Sequence, residues 1–173
     1  VGGSMIDFEN AAVRAFAFLE TRGLRLRRER QAVVYENDRT QVRISLDRGP
    51  EVVVTFHVGS SRFGLGEVAS LFGGEATGLM GDVEASLLRA ADAVASFPDD
   101  AFALSPQQVQ KLEAWLRAAS ERERLTDIRA RIHRSRSAGN RNGEIELLAE
   151  LGDHATPAEA ARLRYLRRLV AGA

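Results

Sequence analysis

Three histidines, His57, His133 and His154, are the first candidates for acid/base or metal chemistry, and they fall on a strand, a helix and a loop. No His-x-x-x-His or comparable ligand spacing joins them, so no metal site is expected. The acidic pairs Asp99-Asp100 and Glu121/Glu123 sit in polar surroundings with arginines nearby. A carboxylate dyad needs burial to separate its pKa values, and these pairs read as solvated charges. The chain has no Cys, which removes thiolate ligands, cysteine nucleophiles and a disulfide framework together. No Ser stands in a Gly-x-Ser-x-Gly elbow. The glycines of Phe63-Gly64-Leu65-Gly66 and Gly73-Gly74 lack a following Gly-Lys-Ser/Thr and a parallel βαβ setting, so they read as turns and helix stops. The expectation is a non-enzymatic protein with no catalytic residues and no cofactor.

Arginine is the remaining chemistry. Lys111 is the single lysine, and Arg supplies the other positive charges among the 24 Lys+Arg. Arg129, Arg131, Arg134, Arg136 and Arg141 are opposed within their stretch only by Asp127. On a helical wheel Arg129 and Arg136 flank the Leu125/Ile128/Ile132 stripe while Arg131 and Arg134 lie opposite. The charge therefore surrounds the helix, and no aromatic residue accompanies it, unlike a dedicated nucleic-acid face. Nucleic-acid contact through this segment is the alternative function.

The elements that must position these residues follow from periodicity. Phe8, Ala12, Phe16 and Leu19 recur at helical spacing and predict one amphipathic helix over Asp7–Arg22, capped by Asp7 and ended at Gly23. Period-two alternation then takes over through Leu24/Leu26, Val33/Tyr35, Val42/Ile44/Leu46 and Val52/Val54/Phe56/Val58. Turns at Asn37-Asp38-Arg39 and Asp47-Arg48-Gly49-Pro50 are short enough for hairpins. Four strands in an antiparallel meander result, with the first helix across one face. A glycine-rich loop from Gly59 leads to about two helical turns over Leu65–Phe72, and Asp82 caps a helix carrying Val83, Leu87, Ala91 and Val94 that packs beside the first.

Ser105-Pro106-Gln107-Gln108 is the sharpest local signal, with a Ser cap, Pro at the first helical position and Gln at the third. The apolar stripe of the helix that starts there shifts at Glu121-Arg122-Glu123-Arg124, so it is either one helix that changes partners or two that meet at a kink. Gly139 to Gly143 reads as a loop, Glu144–Leu151 as a short helix, and Thr156-Pro157-Ala158-Glu159 as the start of the last helix, with Leu163, Leu166 and Val170. The predicted fold class is α+β. Residues 1–4 read as an expression scar before Met5, 5–104 as an α+β domain, and 105–173 as a helical hairpin or three-helix extension.

Residues 1–104 hold 11 Arg against 15 Asp+Glu and residues 105–173 hold 13 Lys+Arg against 9, so a chain of zero net charge divides into an acidic and a basic part. The acidic start lacks signal-peptide character and no apolar run approaches a membrane span, which makes the cytoplasm the expected location.

Strand alternation makes one further expectation. If Leu26, Val42, Ile44, Leu46, Val54 and Phe56 face the first helix, then Arg25, Arg27, Arg43, Val53, Thr55 and His57 share the opposite face. That mixture of arginine and apolar side chains is suited to a docking surface for another protein.

The runs Asp7-Phe8-Glu9-Asn10, Phe16-Ala17-Phe18-Leu19 and Gly23, followed by Val34-Tyr35-Glu36-Asn37-Asp38 and Val42-Arg43-Ile44, give residues 6–72 a resemblance to small bacterial immunity-like α+β proteins. The resemblance implies a cytoplasmic protein-binding module of immunity or antitoxin type, and it assigns no functional residue.

Overall fold

The computed structural model describes residues 3–47, 50–74 and 82–171, with side chains from Phe8 onward. The turn residues Arg48 and Gly49, the glycine-rich stretch 75–81 and residues 1–2 and 172–173 lie outside the described residues. The chain divides into two compact units, Val1–Ala114 and Trp115–Ala173. The boundary falls inside a helix, because the first turns of that helix bury Leu112 and belong with the sheet.

Helix α1 (Gly3–Phe16) begins four residues before Asp7, so Asp7 stands inside the helix and not at its cap. The apolar stripe is as the spacing predicts: Phe8, Ala12, Phe16 and Leu19 are all buried. The single helix expected over Asp7–Arg22 is divided at Ala17, after which α2 (Phe18–Thr21) follows. Ala17 keeps helical dihedrals (φ −54°, ψ −27°). What changes is the bonding, which tightens to i→i−3 steps such as Glu20 N to Ala17 O at 3.1 Å. Gly23 (φ +83°) then closes the helix in a Schellman turn, with Leu24 N donating to Leu19 O at 3.1 Å and Gly23 N to Glu20 O at 3.1 Å.

Five strands follow, one more than the periodicity predicts: β1 (Arg25–Glu29), β2 (Ala32–Glu36), β3 (Gln41–Asp47), β4 (Glu51–Val58) and β5 (Ser61–Gly64). They form an antiparallel meander in sequence order. The fifth strand corrects the expected loop. Val58 pairs with Ser61, leaving the two-residue turn Gly59-Ser60, and Gly59 takes the positive φ of +60° that such a turn requires of its first residue. Phe63 thereby lands opposite Phe56 in the core.

The sheet buries Val33, Tyr35, Val42, Ile44, Val52, Val54, Phe56 and Phe63 against the helices, α1 among them. The Tyr35 hydroxyl donates to the Val13 carbonyl at 3.2 Å, and burial pushes its pKa up to about 12. Helix α3 (Leu65–Leu71) and helix α4 (Val83–Ala95) complete this layer, with α4 against α1. Asp82 caps α4 by accepting from Ala85 N at 2.9 Å. Arg22 clamps the end of α4, donating to Phe97 O at 2.6 Å and Ala95 O at 2.7 Å, where the helix dipole favours a cation. Asn37 binds its own turn, accepting from Thr40 N at 2.8 Å, and donates to Phe102 O at 3.0 Å, tying the β2–β3 turn to the 3-10 turn Asp99–Phe102.

Helix α5 (Pro106–Ser137) is one unbroken helix of 32 residues, about 48 Å long. Its start is the expected capping box: Ser105 N donates to Gln108 Oε1 at 2.7 Å and Gln108 N to Ser105 Oγ at 3.3 Å. In the second unit it is joined by α6 (Arg141–Glu150) and α7 (Pro157–Ala171). α6 starts three residues earlier than the sequence suggests, because Asn140 caps it by accepting from Gly143 N at 3.0 Å and the expected loop shrinks to the turn at Gly139. Ile128, Ile132, Leu147, Leu148, Leu151 and Leu166 form the core of this unit. Val170, part of the predicted stripe of α7, is 47% exposed. Among the described residues no helix is long and apolar enough to cross a membrane.

Candidate functional site

The strand register decides which side chains share a face, since residues directly opposite on neighbouring strands point the same way. On the face turned away from the buried core residues, one row across the sheet runs Arg25, Glu36, Gln41, His57 and Arg62. The next runs Arg27, Val34, Arg43, Thr55 and Gly64, and a third runs Glu29, Ala32, Ser45 and Val53. The structure therefore brings Arg25, Arg27, Arg43, Val53 and His57 together on one outer face, and adds Arg62, Gln41, Glu29 and Glu36 to them.

The β1–β2 side of this face is a closed ion-pair network. Arg27 meets Glu29 at 2.5 Å and Glu36 at 3.3 Å, Arg43 reaches across to pair with Glu29, and Gln41 Nε2 donates to Glu36 Oε2 at 3.4 Å. The Arg43 and Arg27 guanidiniums hold the Glu29 carboxyl below the usual carboxylate range against the opposing effect of its burial. Beneath the network the floor is apolar: Val34, in register between Arg27 and Arg43, is 0% exposed, as is Ala32.

The β4–β5 side differs. His57 is half-buried, and Thr55 Oγ1 lies 3.2 Å from its Nε2, which fixes the ring. Burial, followed by the positive charges of Arg62 and Arg43, pushes the imidazole pKa below its ordinary value, with Glu29 pulling the other way. Arg62 stands directly opposite His57, is exposed, and meets no carboxylate among the described residues. The sequence missed Arg62 because the glycines around it read as a loop. The signal was there in Gly59-Ser60, a two-residue hairpin turn between Val58 and the Ser61/Phe63/Leu65 alternation.

The second arginine group is arranged otherwise. Arg129 donates to Glu159 Oε1 at 2.9 Å and to the His154 carbonyl at 3.0 Å, and Arg136 donates to Glu144 Oε1 at 2.9 Å. Arg131 lies 3.9 Å from Asp127 on its own helix. Arg134 and Arg141 are exposed and carry no ion pair among the described residues. The centre of the unit is Glu144, which the sequence gave no reason to single out: it is 2% exposed and also accepts from Arg162 at 3.1 and 3.2 Å. The Arg162 and Arg136 guanidiniums hold its carboxyl below the ordinary range despite its burial. Glu159 is held at about 2 by Arg129, helped by the capping bonds with Thr156. Glu121, read as solvated, pairs with Arg124 at 2.9 Å and lies 3.4 Å from His154 Nε2. Among the described residues no group of three or more His, Asp or Glu is placed to hold a metal ion.

No family model, curated protein or solved structure matches the chain.

Proposed function

We propose that the protein is a non-enzymatic protein-binding module that docks a partner on the outer face of its sheet, in the manner of an immunity or antitoxin protein acting in the cytoplasm. The observation that carries this reading is the register, which collects Arg25, Arg27, Arg43, Val53 and His57 on one face. Several of those side chains are already held in place by ion pairs and hydrogen bonds. Pre-ordered arginines over an apolar floor lose little conformational freedom on binding, which is what an interface anchor requires. The nucleic-acid reading through Arg129, Arg131, Arg134, Arg136 and Arg141 has less support, because Arg129 and Arg136 are engaged by glutamates of neighbouring helices.

The test is quantitative retention of cellular proteins by the tagged full chain and by its Arg43→Gln and His57→Glu variants. The reading expects one protein held in near-stoichiometric amount by the wild type and lost from both variants. An unchanged set of retained proteins would overturn it.

A further inference from the structure

The outer face is unevenly neutralised. Of its carboxylates, Glu29 and Glu36 lie on the β1–β2 side, where they hold Arg27, and Glu29 also holds Arg43 from across the sheet, while Asp47 and Glu51 stand opposite each other in a fourth row, at the end of β3 and β4 away from His57. In the three rows nearer His57, four arginines, Arg25, Arg27, Arg43 and Arg62, face the two carboxylates of Glu29 and Glu36, a local surplus of two positive charges. The surplus on the far side is Arg62 beside His57. Cβ atoms of directly opposite strand residues lie about 5 Å apart, and Arg43, diagonal to His57, is roughly 7–8 Å away. The three donors thus span the width of one carboxylate-bearing side chain or two. Gln41 and Thr55, in register with His57 and Arg43 respectively, add polar groups to the same patch.

Resting on the docking reading above, we propose that the β3–β5 half of the face seats an acidic segment of the protein partner, with Arg62 and His57 gripping its carboxylates and Arg43 steering them. An Arg side chain forms a bidentate pair with a carboxylate, and one with no carboxylate neighbour of its own is open to that pairing. A nucleic acid fits less well. Its phosphates recur at one charge per about 1.7 Å of duplex, and a strand laid along the face would cross Glu29 and Glu36.

The whole chain has zero net charge, so attraction of an acidic ligand must be local and not a property of the molecule at large. That makes a simple probe informative. A fluorescent oligoglutamate peptide is titrated with the full-length protein at an ionic strength of about 10 mM, where charges act over about 30 Å. The expected result is binding that Arg62→Glu and Arg62→Gln weaken by about tenfold or more with an unchanged thermal midpoint, while Arg134→Glu in the other unit leaves it alone. No binding of the peptide, or equal binding by the Arg62 variants, overturns the proposal. So does tighter binding of a single-stranded DNA of equal length that is lost in the same variants. If the peptide fails while partner retention still depends on Arg43 and His57, the acidic chemistry falls and the docking reading stands.

Discussion

In the helical unit Arg129, Arg136 and Arg162 each end on a glutamate of a neighbouring helix, whereas on the sheet of the first unit Arg25 and Arg62 end on no carboxylate among the described residues. The same residue type does two jobs. Where an arginine reaches a carboxylate such as Glu144, only 2% exposed, the pair fixes how helices lie against one another. A buried carboxylate stripped of its partners, or partners stripped of it, is costly. Where an arginine stands on an open face with no internal carboxylate, stability gains little from it and a ligand can use it. Arginine content alone pointed to the helix; the distribution of glutamates points to the sheet.

Glu144→Ala should break that comparison most forcefully if it is wrong. The account expects a loss of about 3 kcal/mol in urea unfolding, toward the lower end for a broken buried pair because Arg136 and Arg162 are part-exposed and regain water. A loss no larger than that of Arg62→Glu would erase the distinction between the two regions.

Acid sharpens it next. Glu159 is held at about 2 against an unperturbed 4.5, so its contribution is fully present above about pH 4.5 and is lost as the pH falls toward 2. After allowance for its partial exposure the amount is about 2 kcal/mol. Glu159→Gln should flatten that part of the stability profile in pH-dependent unfolding, and an identical slope in the variant would show that the pair with Arg129 contributes nothing.

Arg43→Glu should cost about 1 kcal/mol, since it places a carboxylate against Glu29, while Arg62→Glu should cost under about 0.5 kcal/mol. Equal thermal midpoints for the two variants would mean that the Glu29 pair is inert. The smallest effect is local to the β1–β2 hairpin. Gln31 is the one non-glycine residue with positive φ among the described residues (+69°), and Gln31→Gly should stabilise the protein by about 0.5 kcal/mol. A lower midpoint would show that the Gln31 side chain earns its strained backbone through some contact.

Much of the scaffold was legible because it rests on local rules. The capping boxes at Ser105 and Thr156, the Asp82 cap and the alternation of Val42/Ile44 and Val54/Phe56 depend on neighbours within a few residues or on a fixed period, and each appears in the structure. Alternation also placed Arg25, Arg27, Arg43, Val53 and His57 on a common face before any register was known. What stayed hidden depends on long-range meeting. Glu144 looks like any helical glutamate until Arg136 and Arg162, 8 and 18 residues away, converge on it. Arg62 was lost for the opposite reason, because the flanking glycines that make the β4–β5 turn possible also imitate a loop.

The central claim is that the outer sheet face, and not the arginine-rich helix, is the docking surface. Amide chemical-shift mapping of the full-length protein against the protein it retains from cells tests this most directly. The account predicts perturbations concentrated at Gln41, Arg43, Val53, Thr55, His57 and Arg62, with residues 129–141 unmoved. Perturbations concentrated at Arg129–Arg141, with the sheet face silent, would contradict it.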